Sequence, residues 1–296
     1  MNRTILLYTC KHLGDYAVLT NTVYNLKQAY PEHDYQIDYR GYTGYSDLFL
    51  NNPLVCTRGR YPEWKLYTNY GGRYYESSGE WGAYANGFHR MAQISFTSLY
   101  GEKKVHPMLK KTPDFYILPE EYENYKIPYE NYCIVNNNYQ TSADVKGYPY
   151  FQQVIDQCRD MQFLQIGGDH RDISATLHGA IDLRGKTTVR QLLLLASKAK
   201  CILSGPSGII HLGAPFTNVK KIVIIGAREP TTLWQDYENT TILTSSCGEW
   251  GGSRGCMAMH FRSDMCTKYI HKDGRQFPQC MAAIDPDRII EELCKA

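Results

Sequence analysis

Short apolar runs alternate with amphipathic stretches at the start of the chain, and the same pattern returns in its second half. Thr4 to Thr9 is an apolar run of strand length. After the loop Cys10-Lys11-His12-Leu13-Gly14-Asp15, apolar residues recur at three- and four-residue spacing as Val18, Leu19, Val23, Leu26 and Ala29. That spacing predicts a helix from about Tyr16 to Ala29, closed by Pro31. Tyr35 to Tyr39 alternates like a strand. Residues 50 to 95 are rich in Gly, Tyr, Asn and Trp with weak periodicity, and only Tyr84 to Ser95 has helical character. The period resumes beyond a boundary at Lys126-Ile127-Pro128. Strands are expected at Tyr132 to Val135, at Gln162 to Ile166 (ending in Gly167-Gly168), at Cys201 to Leu203 and at Lys221 to Ile225 (ending at Gly226). Helices are expected at Tyr150 to Arg159, at Val189 to Lys198 and, with Ile289, Ile290 and Leu293 as its apolar face, at Asp287 to Lys295.

Strands that alternate with helices imply an α/β protein with parallel sheets and right-handed crossovers. Ligands of such sheets bind beyond the carboxyl ends of the strands. Two glycine turns lie at such ends, Leu13-Gly14-Asp15 and Ser204-Gly205-Pro206-Ser207-Gly208. The second passes from an apolar strand into an amphipathic segment, where backbone N–H groups and a helix dipole favour phosphate and Ser207 adds a hydroxyl. By itself it reads equally as a tight turn. Asp15 is either a helix cap or a carboxylate that faces a cleft. Lys146 is either a solvated loop lysine or a phosphate contact. His211 either bonds a phosphate or packs and caps, and Lys11 and His12 read as loop residues beside Asp15.

At 296 residues the chain can form one large or two medium domains. A net charge of +2 does not mark a surface built for nucleic acid or for an anionic membrane. No apolar run reaches the roughly 18–20 residues that span a bilayer. The N-terminal apolar run is too short for a signal peptide and lacks a small-residue cleavage site, so a cytoplasmic protein is expected. Tyrosine is abundant, at 25 residues, and many fall in the region from 61 to 86, which holds Tyr67, Tyr70, Tyr74, Tyr75, Trp81 and Tyr84. Aromatic faces with polar tips suit sugar rings, unpaired bases or plain packing; Tyr74 and Trp81 are candidate acceptor contacts.

Ten cysteines are unevenly placed, and Cys247, Cys256, Cys266 and Cys280 are separated by eight, nine and thirteen residues. None of these gaps is the two-residue gap of a zinc ribbon. Four thiolates can still close a tetrahedral metal site, with iron or zinc as a structural occupant. The intervening Gly248-Glu249-Trp250-Gly251-Gly252-Ser253-Arg254-Gly255 has no core of its own, and a metal would supply the missing folding energy. The other reading is four buried cysteines with no common role.

The segment from Leu13-Gly14-Asp15-Tyr16 through Leu26-Lys27-Gln28-Ala29-Tyr30-Pro31 is similar to the N-terminus of glycosyltransferase family 9, which includes the lipopolysaccharide heptosyltransferases. Three later segments resemble that family in the same order. Lys146-Gly147-Tyr148-Pro149 matches its Lys-x-Trp-Pro, with Tyr for Trp. Asp182-Leu183-Arg184-Gly185-Lys186-Thr187 matches its Asp-Leu-x-Gly-Lys-Thr. Ser207-Gly208, His211-Leu212 and Ala214 match its Ser-Gly-x-x-His-Leu-x-Ala. The resemblance implies a GT-B arrangement, two Rossmann-like domains with parallel sheets facing a cleft. Residues 1–128 would bind the acceptor and 129–296 the nucleotide sugar.

The activity the resemblance implies is inverting transfer of a sugar from a nucleotide-diphosphate sugar to an acceptor hydroxyl, without a catalytic divalent metal. Asp15 would be the general base, with Lys146, Gly167, Gly205, Ser207, Gly208 and His211 at the donor. The acceptor would be a glycan, a protein or a modified nucleobase. The pattern ending Cys280-Met281-Ala282-Ala283-Ile284 resembles a branch of the family that holds iron on four cysteines. One departure stands out: the family's acidic residue before Ser-Gly is replaced by Pro206, which has neither a side-chain acceptor nor an N–H. The alternative function is a non-catalytic, metal-stabilised binding module for nucleic acid or protein on the same scaffold. The low net charge argues against its nucleic-acid form. Self-association is open.

Overall fold

A computed structural model of the chain describes residues 3–9, 12–56, 62, 64–68, 107–137, 146–168, 175–248, 250–252, 255–256, 266 and 268–296. It divides the chain into two compact units, Met1–Lys126 and Ile127–Ala296. Tyr74, Trp81 and the helical stretch at 84–95 lie outside the described residues.

The first unit holds a parallel sheet of β1 (Thr4–Tyr8), β2 (Asp34–Ile37) and β3 (Trp64–Tyr67), in the order β2-β1-β3. The helix α1 (Leu13–Ala29) follows β1 and begins earlier than the apolar spacing places it. His12 is its extended N-cap residue, and the N–H groups of Asp15 and Tyr16 both donate to the His12 carbonyl. Leu13-Gly14-Asp15 is therefore the first helical turn, which hides the start of the helix because glycine in that position reads as a turn. Polar residues on α1 are buried as well as apolar ones. Thr20 donates to the Ala17 carbonyl at 2.6 Å, and Asn25 bonds the carbonyl and N–H of Lys110 at 2.8 and 3.0 Å. A short helix, α2 (Pro119–Asn124), lies near the end of the unit.

The second unit is built on six parallel strands: β4 (Tyr132–Asn136), β5 (Gln162–Gln165), β6 (Ala180–Asp182), β7 (Cys201–Ser204), β8 (Lys220–Gly226) and β9 (Thr240–Thr244). Their order is β6-β5-β4-β7-β8-β9, so the chain runs outward from β4 on one side and then on the other. Every residue of β7 and β8 is buried, as expected for strands covered on both faces. The crossover helices are α3 (Phe151–Gln157), α4 (Val189–Lys198) and α5 (Gly208–Gly213). Thr188 and Gln191 form a reciprocal cap on α4, at 3.1 and 2.9 Å, which fixes where it starts.

After β9 come the hairpin β10 (Tyr269–Lys272) and β11 (Arg275–Pro278), the short α6 (Gln279–Ala282) and the terminal α7 (Pro286–Cys294). The hairpin turns on Asp273 and Gly274, both left-handed, the pair that a two-residue turn favours. Ile289 and Leu293 of α7 join Phe151, Val154 and Ile155 of α3 in one core. Among the described residues no helix is long and apolar enough to cross a membrane.

Candidate functional site

In a sheet wound this way, the strand order reverses between β4 and β7, and ligands of such sheets bind beyond the carboxyl ends of the strands at that point. Ser204, the last residue of β7, ties the two strand ends together, its Oγ donating to the Asn136 carbonyl at 3.3 Å and pairing with Ser207 Oγ at 2.7 Å. Lys146, sixty positions upstream, meets the same loop: its Nζ donates to the Pro206 carbonyl at 3.2 Å. Gly205 packs so closely that a Cβ there would lie 3.3 Å from the Lys146 carbonyl oxygen. Ser207 and Gly208 are partly exposed at the loop tip, while Ser204 to Pro206 are buried. The fold thus brings Lys146, Gly205, Ser207 and Gly208 together. Gly167 lies past the end of β5 at φ 156°, and its carbonyl accepts the Gly185 N–H at 3.0 Å. Since α5 has only six residues, the anion-binding capacity of this loop rests on Lys146, the serine hydroxyls and the first N–H groups more than on a dipole.

His211 is placed differently from a phosphate contact at a loop tip. Its side chain is buried, stacked on Trp234 (5.3 Å between centroids) and hydrogen-bonded through Nδ1 to Tyr237 Oη at 2.7 Å. Burial pushes its pKa down to about 4; Glu229 opposes the shift and Lys146 adds to it. The unfolded chain therefore binds more protons than the native one between about pH 6.5 and about pH 4. The stability this histidine contributes is complete above that window and is lost as pH falls through it. A His211→Asn variant should close the gap in unfolding temperature to the wild type as pH drops from about 7 to about 5. A gap independent of pH would contradict a neutral buried imidazole.

The segment that begins at Asp182 is held by its own polar contacts. Fully buried Arg184 grips both oxygens of Asp182 at 2.9 and 3.0 Å and Thr176 Oγ1 at 2.7 Å. Those bonds hold the Asp182 carboxyl down to about 2. Lys186 Nζ returns to the Asp182 carbonyl at 2.6 Å.

In the first unit, Asp15 is the acidic residue in the first turn of α1, partly exposed, and it is not the cap. Its charge is felt by Tyr16 and Tyr45. Tyr16 is buried, donates to the Asp38 carbonyl at 2.8 Å and lies 5.1 Å from the Tyr45 ring. Burial, aided by Asp38, pushes the Tyr16 pKa up to about 12. Tyr45 stacks on Tyr42 at 5.5 Å with 10° between planes, and Tyr42 is 42% exposed. Sequence reasoning missed these two tyrosines, which sit on a 3-10 helix over Thr43–Phe49 and its cap, where no periodicity marks them. The available signal was their position just beyond the carboxyl end of β2.

Two of the four candidate metal ligands, Cys256 and Cys280, meet the corner that follows β8. Gly226 turns there at φ 58°, and a Cβ on it would lie 3.0 Å from Cys280 Sγ. The Cys256 N–H donates to the Ala227 carbonyl at 2.9 Å. Burial pushes the Cys280 thiol up, the Ala227 N–H pulls it down, and the nearby Cys247 and Cys266 push it up again. An N–H directed at sulfur and four sulfur donors on neighbouring loops suit a soft metal ion. Among the described residues, no three His, Cys, Asp or Glu side chains yet close on a common point.

No family model matches the sequence, and no curated protein matches it in sequence. Solved structures do match. The ADP-heptose lipopolysaccharide heptosyltransferase II of E. coli is 13% identical, with 99% of this chain and 98% of that one covered at a TM-score of 0.63. A glycosyl transferase family 9 structure from Veillonella parvula gives the same identity, the same coverage and a TM-score of 0.63. The iron-containing dodecameric glycosyltransferase TibC of enterotoxigenic E. coli is 17% identical, covering 99% of this chain and 76% of that one at 0.64. TibC has also been solved in complex with ADP-D-beta-D-heptose, where the TM-score is 0.60. These likenesses take in both units. The chain has the two-unit α/β fold of the GT-B glycosyltransferases, and its structural neighbours include family 9 heptosyltransferases.

Proposed function

We propose that the chain is an inverting glycosyltransferase that takes a sugar from an ADP-linked donor. The observation that carries this reading is the meeting of Lys146 with the Ser204–Gly208 loop at the strand-order reversal of a Rossmann-like sheet. Its fold is shared with proteins described as acting on ADP-heptose, which favours adenine and a heptose-like sugar. Asp15 takes the proton of the acceptor hydroxyl as its oxygen attacks the anomeric carbon. The bond from that carbon to the diphosphate breaks, and the electron pair leaves with the phosphate. Lys146, the Ser207 hydroxyl and the backbone N–H groups of Ser207 and Gly208 stabilise the charge that develops there. Gly167 shapes the floor beyond β5, and His211 holds the loop. Stacked Tyr42 and Tyr45 offer a face for a sugar ring of the acceptor beside Asp15, with Tyr74 and Trp81 as further contacts.

Lys146→Ala tests the donor site. Loss of a charge-assisted contact should weaken ADP binding by about 1.5–3 kcal/mol, read by calorimetry. An unchanged dissociation constant would show Lys146 to be a bystander.

Cys247, Cys256, Cys266 and Cys280 hold a structural iron or zinc ion in this reading, supported by the iron-containing neighbour and by Cys280 beside Gly226 with Cys247 and Cys266 near enough to raise its thiol. When bound, the ion cross-links a polar segment that has no core. Protein purified without chelator should carry about one metal ion per chain, and Cys280→Ser should lower that content. Metal-free protein of full stability would refute the assignment. No disulfide joins the nine described cysteines, which suits a cytoplasmic enzyme.

A further inference from the structure

The segment that carries the cysteines is built directly onto the elements that hold His211. Gly255 lies against the Glu229–Pro230 peptide so closely that a Cβ on it would be 2.4 Å from Pro230 N and Cδ and 2.6 Å from Glu229 C. The Gly252 carbonyl accepts the Thr231 N–H at 2.8 Å, and the Cys256 N–H reaches Ala227 at 2.9 Å. Pro230 caps the 3-10 helix Thr231–Trp234, and that helix delivers Trp234 onto the His211 ring at 5.3 Å. Tyr237 follows it and hydrogen-bonds His211 Nδ1 at 2.7 Å. His211 belongs to α5, which starts at the tip of the loop that meets Lys146.

Each step in this chain is a backbone or ring contact within the second unit. We propose that the cysteine-rich segment positions the donor loop: Gly252 and Gly255 seat the 3-10 helix whose Trp234, with Tyr237, fixes His211, so nucleoside-diphosphate affinity depends on this segment being docked. The inference rests on the reading of the Ser204–Gly208 loop as the diphosphate site. Gly255 is the sharpest position, because any side chain there collides with backbone and the 3-10 helix must move. Linkage makes the coupling reciprocal: a bound nucleotide must hold the segment down as strongly as the docked segment favours the nucleotide.

Two measurements on the full chain test this. Gly255→Ala should raise the dissociation constant for ADP about tenfold, whereas Trp250→Ala, at an exposed side chain of the same segment, should leave it unchanged. In the wild type, saturating ADP should slow hydrogen exchange of the Cys256 and Thr231 amides by about tenfold. Protection that depends on ADP is a readout that a merely structural role of the segment would not move. If Gly255→Ala does not fold, the wild-type exchange experiment decides by itself. Equal ADP affinity in a folded Gly255→Ala, or exchange at those amides indifferent to ADP, overturns the positioning role while the donor site stands. Failure of ADP to bind the wild type removes both.

Discussion

Asp15→Ala is expected to slow glycosyl transfer by about 10²–10⁴-fold, the range lost with a general base. A sugar hydroxyl holds its proton tightly at neutral pH, so attack on the anomeric carbon needs an acceptor for that proton in the transition state. Asp15 is suited by position: it is partly exposed and lies in the first turn of the helix that follows the central strand of its sheet. The competing role is a favourable interaction with the α1 dipole, whose loss costs about 0.3–1 kcal/mol of stability and no chemistry. Asp15→Asn keeps the size of the side chain but removes both its basicity and its charge, so turnover and stability read in the same variant separate the two: a dipole role predicts a small stability loss at normal turnover, a base role slow turnover. The Asn and Ala variants should be comparably slow, with ADP affinity and unfolding temperature close to wild type. Normal turnover in either would take Asp15 out of the mechanism.

The parts of this fold legible in the sequence are those where one signal dominates. The buried strands β7 and β8 are nearly continuous apolar runs, and α4 is bracketed by its Thr188 cap and the Lys198 that ends it. By contrast, β6 is a three-residue edge strand with no fully buried position, so nothing in its composition separates it from a loop. The hairpin β10–β11 was missed although Asp273-Gly274 is a turn signal, because the strands beside it are mostly partly exposed. At the candidate donor site, the identities of Lys146 and Ser207 were readable and their meeting was not. Sixty residues separate them, and only the sheet order puts the ends of β4 and β7 side by side. The tyrosines near Asp15 are illegible for a related reason: they lie on a short 3-10 helix without periodicity, and only the parallel pairing of β1 with β2 brings that segment beside α1.

Arg228 and Glu229 were missed altogether, since two adjacent opposite charges after a strand look like a solvated turn. They are instead 2% and 0% exposed, joined from Nη1 to Oε1 at 2.5 Å, in the corner that supports the 3-10 helix and His211. Arg228→Met should therefore destabilise the protein by about 3–5 kcal/mol, the cost of leaving one buried charge without its partner. Glu229 would then bury a carboxylate alone or take up a proton, and either outcome disturbs the corner. Replacing both residues, as Arg228→Met with Glu229→Gln, should recover much of the loss, because no buried charge remains to be compensated. Denaturant midpoints for the wild type, both single variants and the double variant form a cycle whose coupling term measures the pair. If the double variant is destabilised by the sum of the singles, the pair is not coupled. A recovered double variant that still binds ADP as tightly as the wild type would further show that the corner supports the donor loop through its shape, with the 3-10 helix still delivering Trp234 onto His211, and not through the charge that Glu229 directs at that ring.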